Sequence, residues 1–182
     1  MIKKEITSII QSRKSVYPNE FNGEIIRNED IIQLLENANH APSHKMTQPW
    51  RFKIFYQNSK KNLFKEIIKV NQFSEVKKNN LEKRFEKTSH IISICMKKNV
   101  EILPEWEEIA ATAMAVQNIW ISCVGSNIGG YWSTPSYTKK LRKFLALEKN
   151  EICLGFFYLG IHQSDKQKKR RDSVKNKIQW FN

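Results

Sequence analysis

Two cations and a hydroxyl occupy consecutive positions near the start of the chain, at Arg13, Lys14 and Ser15. Arginine can hold two oxygens of a phosphate group in a fork, lysine adds a point charge, and serine donates one hydrogen bond. These residue types could therefore bind a phosphate group or the oxygens of a polyol chain. Basic pairs also occur at helix ends because they favour the helix dipole, so the cluster alone does not define a site.

A pair of histidines, His40 and His44, has the spacing that would suit a metal ion on one face of a helix. Pro42 lies between them and would break such a helix. No nearby carboxylate or thiol offers a third ligand, so we predict no metal site. The chain also shows no glycine-rich phosphate loop, no acid–base dyad and no evident nucleophile, and we nominate no catalytic residue.

Length and composition are those of a folded protein with a single domain, 1–182, in which 40% of the residues are hydrophobic. No apolar stretch reaches the roughly 18 residues of a membrane span, and the opening residues lack the pattern of a secretory signal. The three cysteines stand far apart in apolar segments, at Cys95, Cys123 and Cys153. We expect buried thiols in a reducing cytoplasm rather than a disulfide framework.

The net charge of +13 raises an alternative, a protein that binds nucleic acid. Such a protein would place the charged segments 60–87 and 166–177 on phosphates. The charge is spread along the chain, however, and no RNA-binding or DNA-reading module is recognisable. A composition rich in Lys and Asn also follows from the base composition of a genome, so nucleic-acid binding remains the alternative interpretation.

Hydrophobic periodicity predicts helices and strands that interleave along the chain. Helices are predicted up to residue 11 or 12, between Asn28 and Pro42, across most of 60–87, after Pro104, and briefly at 141–145. Strands are predicted at 51–56, 91–96 and 152–161. The strand–helix–strand rhythm of a doubly wound fold is incomplete, so we predict an α+β fold with helices packed on one sheet.

Aromatic residues are candidates for both the core and a pocket. The predicted long helix carries one apolar face, made of Trp106, Ile109, Ala113, Val116 and Trp120. We assign Trp120 to the core and Trp132 to the neighbourhood of a pocket. The apolar pair Trp180 and Phe181 is unusual for a free tail, and contact with a second subunit would explain it.

Several motifs occur in the order found in the flavin-dependent nitroreductase family, which this chain resembles over nearly its whole length. They are Arg13-Lys14-Ser15, Ala41-Pro42-Ser43, Gln48-Pro49-Trp50, Gln117-Asn118, Gly129-Gly130-Tyr131-Trp132 and the apolar run 155–160. The chain is most similar to the short NAD(P)H nitroreductases, which share the His-Lys pair found here at 44–45.

The resemblance implies a central, mostly antiparallel sheet flanked by helices, and an intertwined homodimer with flavin mononucleotide (FMN) at its interface. The basic tail from about residue 162 would contact the partner subunit. NADH or NADPH would donate hydride transiently to FMN, and a nitroaromatic, quinone or similar electron-poor acceptor would take the electrons in a second half-reaction. The cofactor would carry the chemistry, and the protein would orient it.

The same resemblance implies a role for each matched residue. The phosphate and ribityl grip would be Arg13, Lys14 and Ser15, and the tail would add a phosphate clamp of Lys169, Arg170 and Arg171. The second subunit would contribute His40 and His44, and the turn beside the flavin would be Trp132, Ser133 and Thr134. The segment 122–127 matches a stretch assigned to the nicotinamide nucleotide in short members.

Three positions depart from the family pattern. Tyr17 and Met46 stand where many members have Arg and Asn, and Ser133 stands where many have Arg after the tryptophan. Each change removes a polar contact to the flavin or its phosphate. A flavin-binding relative with other chemistry, such as reductive dehalogenation or flavin breakdown, is a further alternative.

Overall fold

Four strands form one antiparallel sheet in the order β1-β2-β4-β3 in the computed structural model of the protein. The strands are β1 (Trp50–Phe55), β2 (His90–Lys97), β3 (Ile128–Ser133) and β4 (Glu151–Ile161). The helices are α1 (Lys4–Ser12), α2 (Asn28–Asn39), α3 (Gln57–Lys69), α4 (Glu75–Lys87) and α5 (Glu105–Ser122). The structure describes residues 3–99, 101–163 and 171–181. Lys169 and Arg170 of the predicted phosphate clamp lie outside these ranges.

Successive residues of the central strands enter two different cores, because side chains alternate between the faces of a sheet. Ile92 and Phe157 pack with residues of α2 and α5, whereas Ile91 and Phe156 pack with residues of α3 and α4. Helices therefore cover both faces of the sheet. This arrangement confirms the predicted α+β fold with a flanked antiparallel sheet. None of the helices in the described ranges is long and apolar enough to cross a membrane.

The observed elements differ from the predicted ones at three points. At 141–145, where a short helix is predicted, the 3-10 helix Ser136–Leu141 ends and a turn follows. The predicted helical segment 60–87 is divided into α3 and α4, and Ser74 caps the second helix by accepting a hydrogen bond from the Lys77 N–H at 3.4 Å. Strand β3 has no counterpart among the predicted strands. It contains Gly129 and Gly130, and glycine is depleted in strands because it has no side chain to pack.

One face of helix α5 packs against the rest of its own chain, and another face is exposed. The buried face contains Ala111, Ala115, Val116 and Ile119. Of the predicted apolar face, Val116 is buried, but Trp106 is 67% exposed. The apolar surface of α5 is therefore larger than the part that its own chain covers.

Two glycines allow the segment that follows α1 to lie directly on the sheet. A Cβ atom at Gly129 would be 2.7 Å from the Cβ of Val16, and one at Gly160 would be 2.3 Å from the Cγ of Phe21. Both distances are far shorter than a normal carbon–carbon contact. The Val16 N–H also donates to the carbonyl oxygen of Gly130 at 3.1 Å. Residues 13–15 are thereby placed at the outer edge of β3.

Replacing Gly130 with alanine should destabilise the protein, because the new Cβ would lie 2.2 Å from the Cε1 of Phe157. We expect Gly130→Ala to lower the free energy of unfolding by about 1–3 kcal/mol in urea denaturation, the usual cost of overpacking a core. Phe157→Leu removes the ring that clashes, so the double variant should lose less stability than the two single losses combined. Strictly additive losses would contradict the clash.

Candidate cofactor-binding site

Arg13 lies over an aromatic platform that is fixed to the edge strand. Its guanidinium carbon is 4.9 Å from the centroid of the Trp120 ring, a cation–π contact. The Trp120 indole N–H donates to the Gly130 carbonyl oxygen at 2.9 Å, and its ring meets Phe157 edge-on at 5.2 Å between centroids. The end of α5 and the middle of β3 therefore hold Arg13 in place together.

A second guanidinium group acts on Arg13. Burial lowers the pKa of Arg13, and the charge of Arg171 lowers it further. Arginine nevertheless stays protonated at any physiological pH. Within the described ranges no carboxylate pairs with Arg13. Two neighbouring guanidinium groups, one of which pairs with no carboxylate in these ranges, favour an anion such as a phosphate, and the structure thus brings together two of the residues that the sequence assigned to a phosphate.

The other members of the first cluster lie beside Arg13. Lys14 lines a cavity of 470 Å³ together with Trp120 and His162. Ser15, which follows Lys14 in the chain, is partly buried, and the next residue, Val16, is buried. The basic groups therefore face the region between the end of α5 and the edge of β3.

A larger cavity, of 720 Å³, lies by the other face of β3. Its walls include Tyr17 and Tyr131, whose ring centroids are 4.6 Å apart, and Ser133 at the end of the strand. Helix α4 contributes two cations to the lining, Lys77 and Arg84. The volume falls within the range of roughly 300–1,000 Å³ that is usual for small-molecule sites.

Two further tyrosines in the cavity wall, Tyr137 and Tyr158, are neutral hydrogen-bonding groups. Burial raises the pKa of both phenols, and for Tyr158 the neighbouring Tyr137 adds to the increase. Because they keep their protons at neutral pH, they can donate O–H hydrogen bonds. The cavity thus combines aromatic walls, cations and neutral donors.

The three residues of the predicted turn, Trp132, Ser133 and Thr134, lie in different surroundings, because side chains alternate between the two faces of β3. Ser133 lines the larger cavity, whereas Trp132 packs against the core formed with α2 and α5, and Thr134 is exposed beyond the end of β3. The Trp132 indole Nε1 is buried with no hydrogen-bond partner among the described residues. Unpaired buried donors are uncommon in folded proteins.

The loop that carries His44 is held by the first turn of α5. The His44 Nδ1 lies 2.6 Å from the Glu107 Oε2. The buried Glu108 carboxylate accepts hydrogen bonds from the Thr47 hydroxyl at 3.1 Å and from the Asn99 amide at 2.9 Å. The adjacent residues Glu107 and Glu108 therefore hold the two ends of the turn at residues 44–47.

The same loop stores backbone strain. Lys45, Met46 and Gln48 have φ angles of 50°, 54° and 43°, in the left-handed region that non-glycine residues seldom occupy. Each such residue costs on the order of 1–3 kcal/mol and persists only where the surroundings hold it. Strained loops of this kind are concentrated at functional sites.

The two groups of predicted residues do not meet within one chain. His44 contacts α5 at Glu107, and Arg13 contacts the same helix at Trp120. At 1.5 Å of rise per residue, these contacts lie about 20 Å apart along the helix axis. His40 is exposed at the end of α2, and neither histidine lines either cavity.

Several residues of the site were not predicted from the sequence. Arg84 and Lys77 lie on one face of α4. Many residues of that helix are charged, so the spacing of these two does not distinguish them from the other charged residues. Glu107, the partner of His44, lies in the first turn of α5, where acidic residues are common because they favour the helix dipole, so the sequence does not mark it as a site residue. Tyr131 was visible as part of the glycine–aromatic motif, yet its position opposite Tyr17 depends on how the chain folds back onto β3.

Comparison with known proteins identifies the family. The model of the Nitroreductase family matches residues 10–161, and the chain belongs to this family, as its motifs predict. A relative from Bacillus subtilis, named "Putative NAD(P)H nitroreductase YfhC", is 23% identical over 181 residues, which cover 95% of this chain and 92% of the relative.

Solved structures share the fold. A nitroreductase-like family protein from Bacillus cereus superposes with a TM-score of 0.86 at 22% identity, over 100% of this chain and 98% of the other. The FMN-dependent nitroreductase NfnB from Mycobacterium smegmatis, solved in complex with NADPH, gives a TM-score of 0.78 at 15% identity, over 97% and 98% of the two chains.

Glu108→Ala should loosen the His44 loop, because it removes the acceptor of the Thr47 and Asn99 hydrogen bonds. We expect a loss of about 1–3 kcal/mol in the free energy of unfolding and faster cleavage by trypsin after Lys45. Glu105→Ala is the matched control, since Glu105 lies on the same helical turn and forms a surface ion pair with Lys98, worth about 1 kcal/mol at most. Equal losses in the two variants would show that Glu108 does not hold the loop.

Proposed function

We propose that the protein is an FMN-dependent NAD(P)H oxidoreductase that reduces nitroaromatics, quinones or similar electron-poor compounds, and that it acts as a homodimer. The pair of guanidinium groups at Arg13 and Arg171 supports this most directly. The short segment 13–17 joins this pair to the 720 Å³ cavity that Tyr17 helps to line. An anion site next to an aromatic cavity is what a phosphorylated flavin requires.

The residues present fit the two ends of FMN. Arg13 and Arg171 would hold the phosphate, with Lys14 and Ser15 beside them, and the cavity wall at Ser133 would receive the ring system. When bound, FMN supplies the chemistry, since it accepts hydride from NADH or NADPH and passes the electrons to an acceptor. The likeness to NfnB, described as FMN-dependent and solved with NADPH, supports both cofactors.

Arg84 would supply a positive charge that the chain lacks at Tyr17. Many members of the family carry Arg at the position of Tyr17, and here Arg84 and Lys77 enter the cavity from α4 instead. Fixed positive charge close to a flavin stabilises its anionic reduced form. We therefore expect this cavity to favour reduction of the flavin even though the usual arginine is missing.

A second copy of the chain would complete the site. Helix α1 buries none of its residues, and Ile6, Ile9 and Ile10 are exposed on it. Trp180 and Phe181 are 85% and 86% exposed. Exposed apolar residues concentrated on one helix and one tail are typical of an interface. The partner subunit would cover them and bring its His44 loop to the Arg13 end of the site, since within one chain the His44 and Arg13 contacts lie about 20 Å apart along α5.

A cytoplasmic location is part of the proposal. The three cysteines are free thiols in the structure. Free thiols are typical of proteins that work in a reducing compartment.

A titration with FMN tests the proposed function. The purified protein should be yellow or become yellow with added FMN, and the colour should bleach on addition of NADH or NADPH under anaerobic conditions. A colourless protein that binds no FMN would contradict the proposal. Salt-dependent binding to nucleic acid by such a colourless protein would favour the alternative instead.

Arg13→Ala should weaken FMN binding by about ten- to a hundredfold, because it removes a charged hydrogen-bond donor from the proposed phosphate site. Fluorescence titration of the flavin measures the change, and circular dichroism verifies the fold. Arg27→Ala is the matched control, since Arg27 is an exposed arginine whose guanidinium pairs with Asp30 at 2.9 Å. Unchanged affinity in Arg13→Ala, or an equal loss in Arg27→Ala, would remove Arg13 from the site.

A further inference from the structure

Two of the three cysteines face each other across the middle of the sheet. Cys95 of β2 and Cys153 of β4 are Cα partners in the antiparallel register, next to an irregularity that follows Ile94. Directly opposed residues in such a ladder have Cα atoms about 4.5–5.5 Å apart. A disulfide bridges Cα atoms about 4.4–6.8 Å apart, so the register brings the two Cα atoms into the range that the bond requires.

Ser93 shows that both thiols point to the same side of the sheet. Its hydroxyl oxygen is 3.3 Å from the sulfur of Cys95 and 3.3 Å from the sulfur of Cys153. One oxygen can contact both sulfurs only if the two side chains converge. Cys153 packs in the core formed with α3 and α4, and Ser93 is buried beside it.

The two thiols differ in exposure and in acidity. Cys95 is fully buried, whereas Cys153 is partly exposed. The hydrogen bond between the two thiols lowers the pKa of Cys153 although burial opposes the shift, and the same bond raises the pKa of Cys95. The thiolate is therefore favoured on the less buried of the two residues. A cysteine with a lowered pKa beside a second thiol is the usual arrangement of a peroxide-sensitive pair.

We propose that Cys95 and Cys153 form an oxidisable dithiol, which hydrogen peroxide converts into an intramolecular disulfide between β2 and β4. The Cys153 thiolate attacks one peroxide oxygen, so that an S–O bond forms, the O–O bond breaks and the leaving hydroxide is protonated to water. The Cys95 sulfur then attacks the sulfenic acid, the S–S bond forms, and the S–O bond breaks with loss of a second water. The two thiols lose two electrons in all, and one hydrogen peroxide is reduced to two waters.

The bond would cross-link the two central strands of the sheet and could be reversed by a dithiol reductant. Cys123 takes no part, because it lies at the end of α5, donates to the Ile119 carbonyl oxygen at 3.3 Å and has its pKa raised to about 12 by burial. The chemistry needs only the two cysteines and the peroxide. The inference is therefore independent of FMN binding.

The wild-type protein tests the proposal directly. Hydrogen peroxide in small excess should reduce the number of thiols from three to one, counted with Ellman's reagent after denaturation. Mass spectrometry should show the loss of two hydrogens per chain and a peptide that joins residues 95 and 153. Dithiothreitol should restore all three thiols.

Two variants separate this bond from other oxidation. Cys123→Ser should form the same disulfide at the same rate as the wild type. Cys95→Ser keeps a hydroxyl donor opposite Cys153, so it should stop at a sulfenic acid on Cys153, which dimedone traps as an adduct. Three thiols remaining in peroxide-treated wild type, a disulfide that includes Cys123, or a bond between chains would each overturn the proposal.

Discussion

The close approach of residues 16–22 to the edge of the sheet is the constraint on which the rest of the site depends. The Val16 N–H bonds to Gly130, and the Asn22 N–H bonds to the Ile161 carbonyl oxygen at 2.9 Å, so the segment is tied at both ends. Only the missing side chains of Gly129 and Gly160 leave room for it. Arg13 precedes this segment and Tyr17 lies within it, so a single docking event positions both the proposed phosphate site and one wall of the cavity.

Helix α5 sets the distance between two parts of the candidate site within one chain. Its first turn holds the strained His44 loop through Glu107 and Glu108, and its last turns hold Arg13 through Trp120. Because the helix is rigid, the His44 contact and the Arg13 contact stay about 20 Å apart along α5 in the same molecule. In the proposed homodimer, a second chain would cover the open apolar surface on α1 and α5 and bring its His44 loop to the site.

Much of the fold could be predicted from the sequence, and the limits have physical causes. Apolar runs at 91–96 and 152–161 mark the central strands because these are buried on both faces. The sequence does not predict strand β3, because glycine is depleted in strands. Its glycines are explained by the close packing of Val16 and not by strand formation. In the candidate site, Arg13 is named from its motif and Arg171 from the family resemblance of the basic tail, whereas the entry of Arg84 into the cavity depends on how α4 packs, which no local pattern records.

Assembly of each site from two chains is tested most directly by mixing two variants, Arg13→Ala and His44→Ala, after dissociation and reassociation in equal amounts. Half of the resulting dimers should contain one chain of each kind, and each mixed dimer should have one complete site out of two. We expect NAD(P)H-dependent reduction of a quinone to return to about a quarter of the wild-type rate, from variants that are both impaired alone. A mixture that stays as impaired as its components would contradict a site shared between two subunits.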